Sequence, residues 1–248
     1  MKTILITGGS EGIGYSFAKA FARKNNRIIL CARNKDKLAK AAESLFPAEV
    51  RTISLDLSEK GSPGKLADMC KEEEIDILIN NAGIGYTGSS LLQSTENLEK
   101  MISLNITAVL LLTRIFAEKM KQKGSGTIIN VASTGAFQPG PYIASYYASK
   151  AAVLSYTEAL HEELKKDNVQ IYCLCPGPVA TDFYAKSGGK IPALAQNADE
   201  VVKYTLSHLH GKCVIIPGFA NRLARIVPSS LRMHAVKKMK MNQLKKKK

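Results

Sequence analysis

A tyrosine and a lysine four residues apart form a pair that could move a proton. Tyr146 and Lys150 lie in the segment SYYASK, and apolar residues at helical spacing follow them. Side chains at positions i and i+4 share one face of a helix. A nearby ammonium lowers the pKa of a phenol from its usual value of about 10, so we expect Tyr146 to exchange a proton with a carbonyl or alcohol oxygen. A solvated helix face would show the same spacing, so the surrounding elements must decide.

A glycine-rich turn follows the first predicted strand. Residues 3–7 are mostly β-branched or aliphatic, and residues 8–14 read GGSEGIG before a helical pattern begins. Glycine lets the backbone approach a dinucleotide pyrophosphate, and the following helix N-terminus offers free N–H groups. The order strand, glycine turn and helix therefore predicts a dinucleotide site, with a plain tight turn as the alternative. The expected cofactor contacts in this turn are Gly8, Ser10, Gly12, Ile13 and Gly14.

The end of the second predicted strand indicates which dinucleotide binds. No acidic residue ends the strand at 27–32, and Arg33 follows it. An acid at this position binds the ribose 2′-hydroxyl, whereas an arginine accommodates a 2′-phosphate. We therefore expect NADP(H), with NAD(H) as the less favoured cofactor, although a solvated basic loop would also contain Arg33. Asp56 and Leu57, after the third predicted strand at 50–55, are expected near the adenine, unless Asp56 caps the next helix.

Three further strand ends carry small or polar residues. The predicted strands at 75–79, 127–131 and 169–175 end in NNAG, AST and PGPVAT. Ligands bind at the carboxyl ends of parallel strands, which places Ser133 at the predicted site. Asn105 lies inside a long predicted helix at 95–121. Asparagine is unfavourable in the interior of a helix, which suggests that Asn105 has a role besides helix formation. The cofactor contacts expected at these ends are Asn81, Ala82, Gly83, Pro176, Gly177, Val179 and Thr181.

The remaining pattern alternates helices with strands and predicts one α/β domain over residues 1–218. Helices are predicted at 36–46, 66–74 and 198–210, and a last strand at 212–217. Residues 182–197 contain Gly188 and Gly189 and read as a loop suited to a mobile lid over a substrate.

The ordered set of motifs resembles the short-chain dehydrogenases/reductases over residues 3–218. The resemblance implies a Rossmann-type, doubly wound sheet of about seven parallel strands and an NAD(P)-dependent carbonyl or alcohol reaction. It places a catalytic tetrad at Asn105, Ser133, Tyr146 and Lys150, in which Asn105 anchors a water and Lys150 also holds the nicotinamide ribose. It further implies a homodimer or homotetramer. Many NADP-using members carry a basic residue in the glycine turn, whereas this chain has Glu11 there.

The expected substrate site combines small and aromatic residues without a cation. No Lys or Arg occurs in residues 135–145, so we expect a moderately large apolar ketone or secondary alcohol, such as a hydroxysteroid, bile acid or 3-oxoacyl compound. A different class of function would be an NADP(H)-binding redox sensor or scaffold protein that contacts a membrane or nucleic acid through a basic C-terminal tail. The residues expected to line the substrate site are Ser133, Gly135, Gln138, Tyr142, Tyr146 and Phe183.

Charge is concentrated at the C-terminus. The chain of 248 residues carries a net charge of +14, and residues 222–248 contain ten Lys or Arg and no Asp or Glu. The remainder is nearly balanced, so we expect no nucleic-acid partner. Residues 219–248 read as a basic extension of two short amphipathic pieces separated at Pro228. They predict either weak contact with an anionic membrane surface or packing on the body, followed by a disordered end.

Cysteine usage and hydropathy point to a cytoplasmic protein. The five cysteines are scattered, and Cys173 and Cys175 fall in one predicted strand, which favours buried thiols over a disulfide or metal site. The four histidines form no ligand pattern. No apolar run of ~18 residues is present, so no spanning helix is expected. The first residues read as mature structure rather than a signal peptide. Peripheral attachment to a membrane is the alternative location.

Overall fold

The computed structural model describes residues 1–245 and contains one parallel sheet. Its order is β3-β2-β1-β4-β5-β6-β7, which confirms the predicted seven-stranded, doubly wound fold. The strands are rich in Ile, Val and Leu because both faces of the sheet are covered. Thr7 pairs in register with Cys31 on one side and Asn80 on the other, so neighbouring strands end together. The strands are β1 (Lys2–Thr7), β2 (Asn26–Ala32), β3 (Glu49–Ser54), β4 (Ile77–Asn80), β5 (Gly126–Val131), β6 (Val169–Leu174) and β7 (Val214–Ile215).

Helices cover both faces of the sheet and create two main apolar cores. Phe17, Leu38 and Val201 pack on one face, whereas Leu66 and Phe116 pack on the other. The helices are α1 (Gly12–Phe21), α2 (Lys35–Glu43), α3 (Ser62–Met69), α4 (Thr95–Ile102), α5 (Ala108–Lys123), α6 (Ala144–Glu163), α7 (Phe183–Lys186), α8 (Ala198–Ser207), α9 (Phe219–Ala224) and α10 (Ser229–Lys245).

A buried polar network ties the central strands to the helices beside them. The Asn80 amide donates to Asn130 Oδ1 at 2.9 Å and to Thr113 Oγ1 at 3.0 Å. The Asn130 amide donates to Thr157 Oγ1 at 3.1 Å. Hydrogen bonds between buried side chains fix the packing of their elements, because breaking one of them leaves a polar group desolvated. The network thus holds β4 and β5 against α5 and α6, which carry the residues described below.

Two predicted helices were wrong in detail. Helix α3 begins at Ser62, four residues before the prediction, because Pro63 suits the first helical turn and was interpreted as a loop residue. The long helix predicted at 95–121 is interrupted at Ser103–Thr107 by one wide turn of π-helix. Such turns displace side chains from the regular helical face and recur at functional sites. Asn105 lies in this turn.

The continuous stretch Thr95–Lys123 is long and apolar enough, by length and composition alone, to cross a membrane. Half of its most apolar window is buried in the protein. Leu112, Phe116 and Met120 pack in the core under the sheet. We interpret the stretch as a core helix, since such helices satisfy the same criterion.

The C-terminal segment packs on the body through α10. The break predicted at Pro228 separates α9 from α10, but α10 is one 17-residue helix rather than a short piece. Val236 is buried, and Arg232 donates to Gln138 Oε1 at 2.6 Å and to the Phe137 carbonyl at 3.2 Å. The predicted disordered end at residues 246–248 lies outside the described residues.

Candidate active site

Tyr146 and Lys150 lie on the first turns of α6, where Lys150 is buried and Tyr146 is partly buried. Lys150 is only 4% exposed, and its Nζ donates to the Val131 carbonyl at 2.7 Å. The same nitrogen lies 5.8 Å from the centroid of the Tyr146 ring. The Tyr146 phenol also shares a hydrogen bond with the Ser133 hydroxyl. Ser133 follows β5 at the carboxyl edge of the sheet, so the three predicted catalytic side chains converge.

Desolvation is the main influence on the proton affinity of the phenol. Desolvation raises the pKa of Tyr146 above its ordinary value, although the Ser133 hydrogen bond lowers it. Lys150 donates to the Val131 carbonyl in this structure, and the lowering of the Tyr146 pKa by its ammonium stays a prediction. Desolvation also lowers the pKa of Lys150, to about 8. At neutral pH, Tyr146 therefore holds its proton.

Asn105 joins the segment after β4 to α6. Its Oδ1 accepts from the Ile84 N–H at 2.9 Å, and its amide donates to the Ile84 carbonyl at 2.8 Å and to Ser149 Oγ at 3.0 Å. Asn105 is fully buried, so these bonds replace those it would make with water. Sequence reasoning missed Ser149. Its only signal was its place beside Lys150 on the helix that carries the pair.

The glycine turn has the geometry of an anion cradle. Gly8 and Gly12 adopt φ angles of 64° and 58°, which favour glycine over other residues. Asn81 holds the turn by donating to the carbonyls of Thr7 and Gly8, both at 3.1 Å. The side chain of the N-cap residue Glu11 makes no cap hydrogen bond, so the first N–H groups of α1 can receive a phosphate. The Thr7 hydroxyl, which accepts from the N–H groups of Asn81 and Ala82, was missed.

Charged groups surround the expected adenosine position. Arg33 lies 3.6 Å from Asp56, and Lys100 lies 3.5 Å from the same carboxylate. Partial burial raises the pKa of Asp56, but hydrogen bonds from Ser58 and the two cations outweigh this and lower it overall. The carboxylate is therefore ionised at neutral pH. It does not cap α3, which begins six residues later.

Glu11 in the glycine turn is neutralised by two lysines. Lys37 of α2 lies 2.5 Å from its carboxylate, and Lys186 of α7 forms a second ion pair with it. Lys37 also lies 3.9 Å from Asp182. The negative charge that departs from the family pattern thus has local partners, which reduces its repulsion of a phosphate bound nearby.

Other residues predicted to contact the cofactor can do so through their backbone or because they lack a side chain. Leu57 and Val179 are buried in the cores, which leaves their backbone to face a ligand. A Cβ on Gly12 would lie 3.2 Å from Thr181, and one on Gly177 would clash with Asn221. The structure brings the loop after β6 to the glycine turn, as expected for two parts of one cofactor site.

Helix α7 lies over Tyr146. The Phe183 and Tyr146 ring centroids are 5.3 Å apart, and the Thr87 N–H donates to the Ser187 carbonyl at 2.9 Å. Residues 182–197 were predicted to form a loop. This prediction was wrong for four of them, which form α7. These contacts close the segment over the phenol. Its mobility stays a prediction.

The remaining substrate candidates lie around the same entrance. Gly135 packs against Tyr147, and a Cβ at position 135 would lie only 2.5 Å from the tyrosine ring. Gln138 accepts the bond from Arg232 described above. Tyr142 adopts φ 65°, which is rare for a bulky residue and marks a constrained position.

Comparison with known proteins places this geometry in a family. A model of short chain dehydrogenases matches residues 2–191. The very-long-chain 3-oxoacyl-CoA reductase of Rattus norvegicus is 31% identical over 184 residues, which are 71% of this chain and 59% of that protein. The chain thus spans about three fifths of the length of this relative.

Solved structures agree over nearly the whole chain. A short-chain dehydrogenase from Sphingobium yanoikuyae in complex with NADPH is 30% identical, with a TM-score of 0.85 over 95% of each chain. The bulky-bulky ketone specific alcohol dehydrogenase from Comamonas testosteroni is 27% identical, with a TM-score of 0.80 over 95% of this chain and 94% of that one. The chain therefore belongs to the short-chain dehydrogenase family.

Proposed function

We propose that the protein interconverts a ketone and a secondary alcohol on a moderately large apolar substrate, using NADP(H). The observation that carries this proposal is the convergence of Ser133, Tyr146 and Lys150 at the sheet edge that also carries the glycine turn. The names of the relatives support it, since they include a 3-oxoacyl-CoA reductase and a ketone-specific alcohol dehydrogenase.

The mechanism assigns each side chain one task. A bound nicotinamide would supply or accept the hydride. Tyr146, kept protonated by burial, donates its proton to the carbonyl oxygen during reduction, and in the reverse direction its phenolate form takes the proton of the alcohol. Lys150, charged below about pH 8, stabilises the phenolate left behind. Ser133 donates a hydrogen bond to the oxygen as negative charge develops on it.

The preference for NADP(H) is proposed from the charges around the β2 end. Arg33 is half-exposed and lies beside the expected adenosine position. Lys37 lies in the first turn of α2, which follows Arg33. The pairing of Glu11 with lysines removes the main argument against a 2′-phosphate. The complex of the Sphingobium relative with NADPH supports the same choice. NAD(H) is the less favoured cofactor.

The pKa of Lys150 predicts how NADPH affinity changes with pH. The amine is charged below about pH 8 and loses its proton above it. An anionic dinucleotide favours the charged amine, so the Kd for NADPH should be lowest below pH 8 and rise toward pH 9.5. Fluorescence titration from pH 6.5 to 9.5 measures this trend. Lys150→Met should bind more weakly, with a Kd that stays level across the window; the same slope in both proteins would contradict the assignment.

A screen of NADPH oxidation tests the proposed function. Ketosteroids, 3-oxoacyl compounds and bulky aryl ketones are assayed with NADPH and NADH, and sugars serve as the polar comparison. We expect turnover of at least one apolar ketone class. If no substrate is turned over while NADPH binds, the binding or scaffold function becomes the better description.

We propose that the protein works in the cytoplasm, with weak peripheral attachment to anionic membranes. Phe219, Leu223, Ile226 and Leu231 are exposed beside Arg222 and Arg225, a mixture of apolar and cationic side chains that suits a lipid surface. We expect co-sedimentation with phosphatidylserine vesicles to exceed that with phosphatidylcholine vesicles. Leu223→Glu with Ile226→Glu should abolish the difference. Equal binding of the parent protein to both lipids would reject the proposal.

A homodimer or homotetramer is proposed from family membership. Leu98, Ile102 and Leu111 are partly exposed on α4 and α5 and could form part of a subunit interface. Sedimentation velocity measures the oligomeric state of the protein in solution.

A further inference from the structure

A cavity of about 380 Å³ lies between α10 and the loops beside Tyr142. One wall comes from Ser89, Ser90 and Leu91 and another from Pro141 and Tyr142. Helix α10 completes it with Met233, His234 and Lys237. The cavity therefore adjoins the segment that leads into Tyr146, four residues after Tyr142. Its lining joins an apolar part to hydroxyl, imidazole and ammonium groups.

The residues that line the cavity include the cation of Lys237 and no acid. None of its lining residues is acidic, and residues 201–248 contain no Asp or Glu. Lys237 forms no ion pair within residues 1–245. The Nδ1 of His234 lies 2.8 Å from the Ser230 carbonyl, which can only accept, so this nitrogen carries a proton. The ammonium is thus available to an anionic ligand.

The wall formed by α10 is fixed to the substrate loop. Arg232 donates to Phe137 and Gln138, and the Arg225 guanidinium lies 4.6 Å from the centroid of the Phe137 ring. Tyr142 is held at φ 65°, and its carbonyl accepts from the Gly88 N–H at 2.9 Å. These contacts hold the cationic groups of α10 beside the predicted substrate entrance.

We propose that this cavity binds the phosphate-bearing arm of a coenzyme A thioester, so that the substrate is a 3-oxoacyl-coenzyme A. The proposal rests on the proposed ketone reduction and names its substrate class. The acyl chain with its ketone reaches Tyr146, while the polar arm lies along Tyr142 and its phosphates meet Lys237 and His234. The cation absent from residues 135–145 is thus supplied by a helix almost a hundred residues away.

Kinetics with two thioesters of the same acyl group test the proposal. One is the 3-oxoacyl-coenzyme A and the other the neutral 3-oxoacyl-N-acetylcysteamine thioester. Charge-assisted contacts are worth roughly 1.5–3 kcal/mol, so we expect the KM of the coenzyme A ester to be about tenfold lower or more. Lys237→Glu should reduce the ratio of the two kcat/KM values by about tenfold. Lys24→Glu, an exposed change at the opposite sheet edge, should leave the ratio unchanged.

The outcomes separate the inference from the proposed function. Equal KM values for both thioesters, or an equal effect of Lys237→Glu on both, would overturn the coenzyme A site while ketone reduction stands. Loss of turnover on every ketone would reject the proposed function instead. Calorimetric titration with coenzyme A tests binding at the cavity independently of turnover. Saturating NADPH is present so that coenzyme A cannot bind at the adenine site of the cofactor. We expect binding that Lys237→Glu weakens; no binding to the parent protein would overturn the inference.

Discussion

Tyr146→Phe is expected to reduce ketone turnover by about 10³-fold or more, since a positioned general acid contributes roughly 10²–10⁴-fold. The variant keeps the ring that contacts Phe183 and loses only the hydroxyl that bonds Ser133. NADPH affinity should change little, because the cradle formed by the glycine turn is untouched. Steady-state kinetics and fluorescence titration of NADPH measure the two effects separately.

Tyr147→Phe is the matched control for this prediction. It removes a hydroxyl from the adjacent tyrosine but leaves the ring that packs against Gly135 and Gly140. We expect activity close to that of the parent protein. Comparable turnover by Tyr146→Phe, or equal losses in both variants, would exclude Tyr146 as the proton donor.

Arg33→Ala is expected to lower kcat/KM for NADPH by about tenfold to a hundredfold, the range of roughly 1.5–3 kcal/mol for a hydrogen bond to a charged group. NADH lacks the 2′-phosphate, so its kcat/KM should change far less. The substitution also frees Asp56 from one of its two cations, which adds a repulsive carboxylate near the phosphate. The ratio of the two kcat/KM values therefore reports the phosphate contact.

Lys40→Ala provides the control for charge alone. Lys40 is exposed on the same helix as Lys37 but lies nearer its C-terminal end. The cofactor ratio should remain that of the parent. An Arg33→Ala protein that loses activity with both cofactors alike would show that Arg33 supports the fold rather than recognising the phosphate.

Local patterns were enough to predict the sheet and the position of the site within it. Each strand is a short apolar run bounded by turn residues, and parallel strands place their carboxyl ends at one edge. Ser133, Asn81 and the glycine turn could therefore be assigned to one site from order alone. Boundaries such as that of α3 were less certain, because Pro63 suits both a loop and a first helical turn.

Proton affinities and long-range contacts required the tertiary structure. The Tyr146–Lys150 spacing suggested a lysine that acidifies a phenol, but the pKa depends on desolvation, which sequence does not show. The ion pair of Glu11 with Lys186 and the bond of Arg232 to Gln138 join positions 175 and 94 residues apart. No local periodicity predicts such pairs.

The sequence by itself thus predicted the parallel fold, the sheet edge that carries the glycine turn and the placement of Tyr146 and Lys150 on one helix, because these follow from apolar runs, the order of the elements and residue spacing. Only the tertiary structure decided how the pair is solvated and what surrounds it. Folding buries Lys150 against Val131, brings Phe183 onto Tyr146 and places the cation of Lys237 beside Tyr142. These relations depend on the packing of distant segments, and burial then sets the charge of each group.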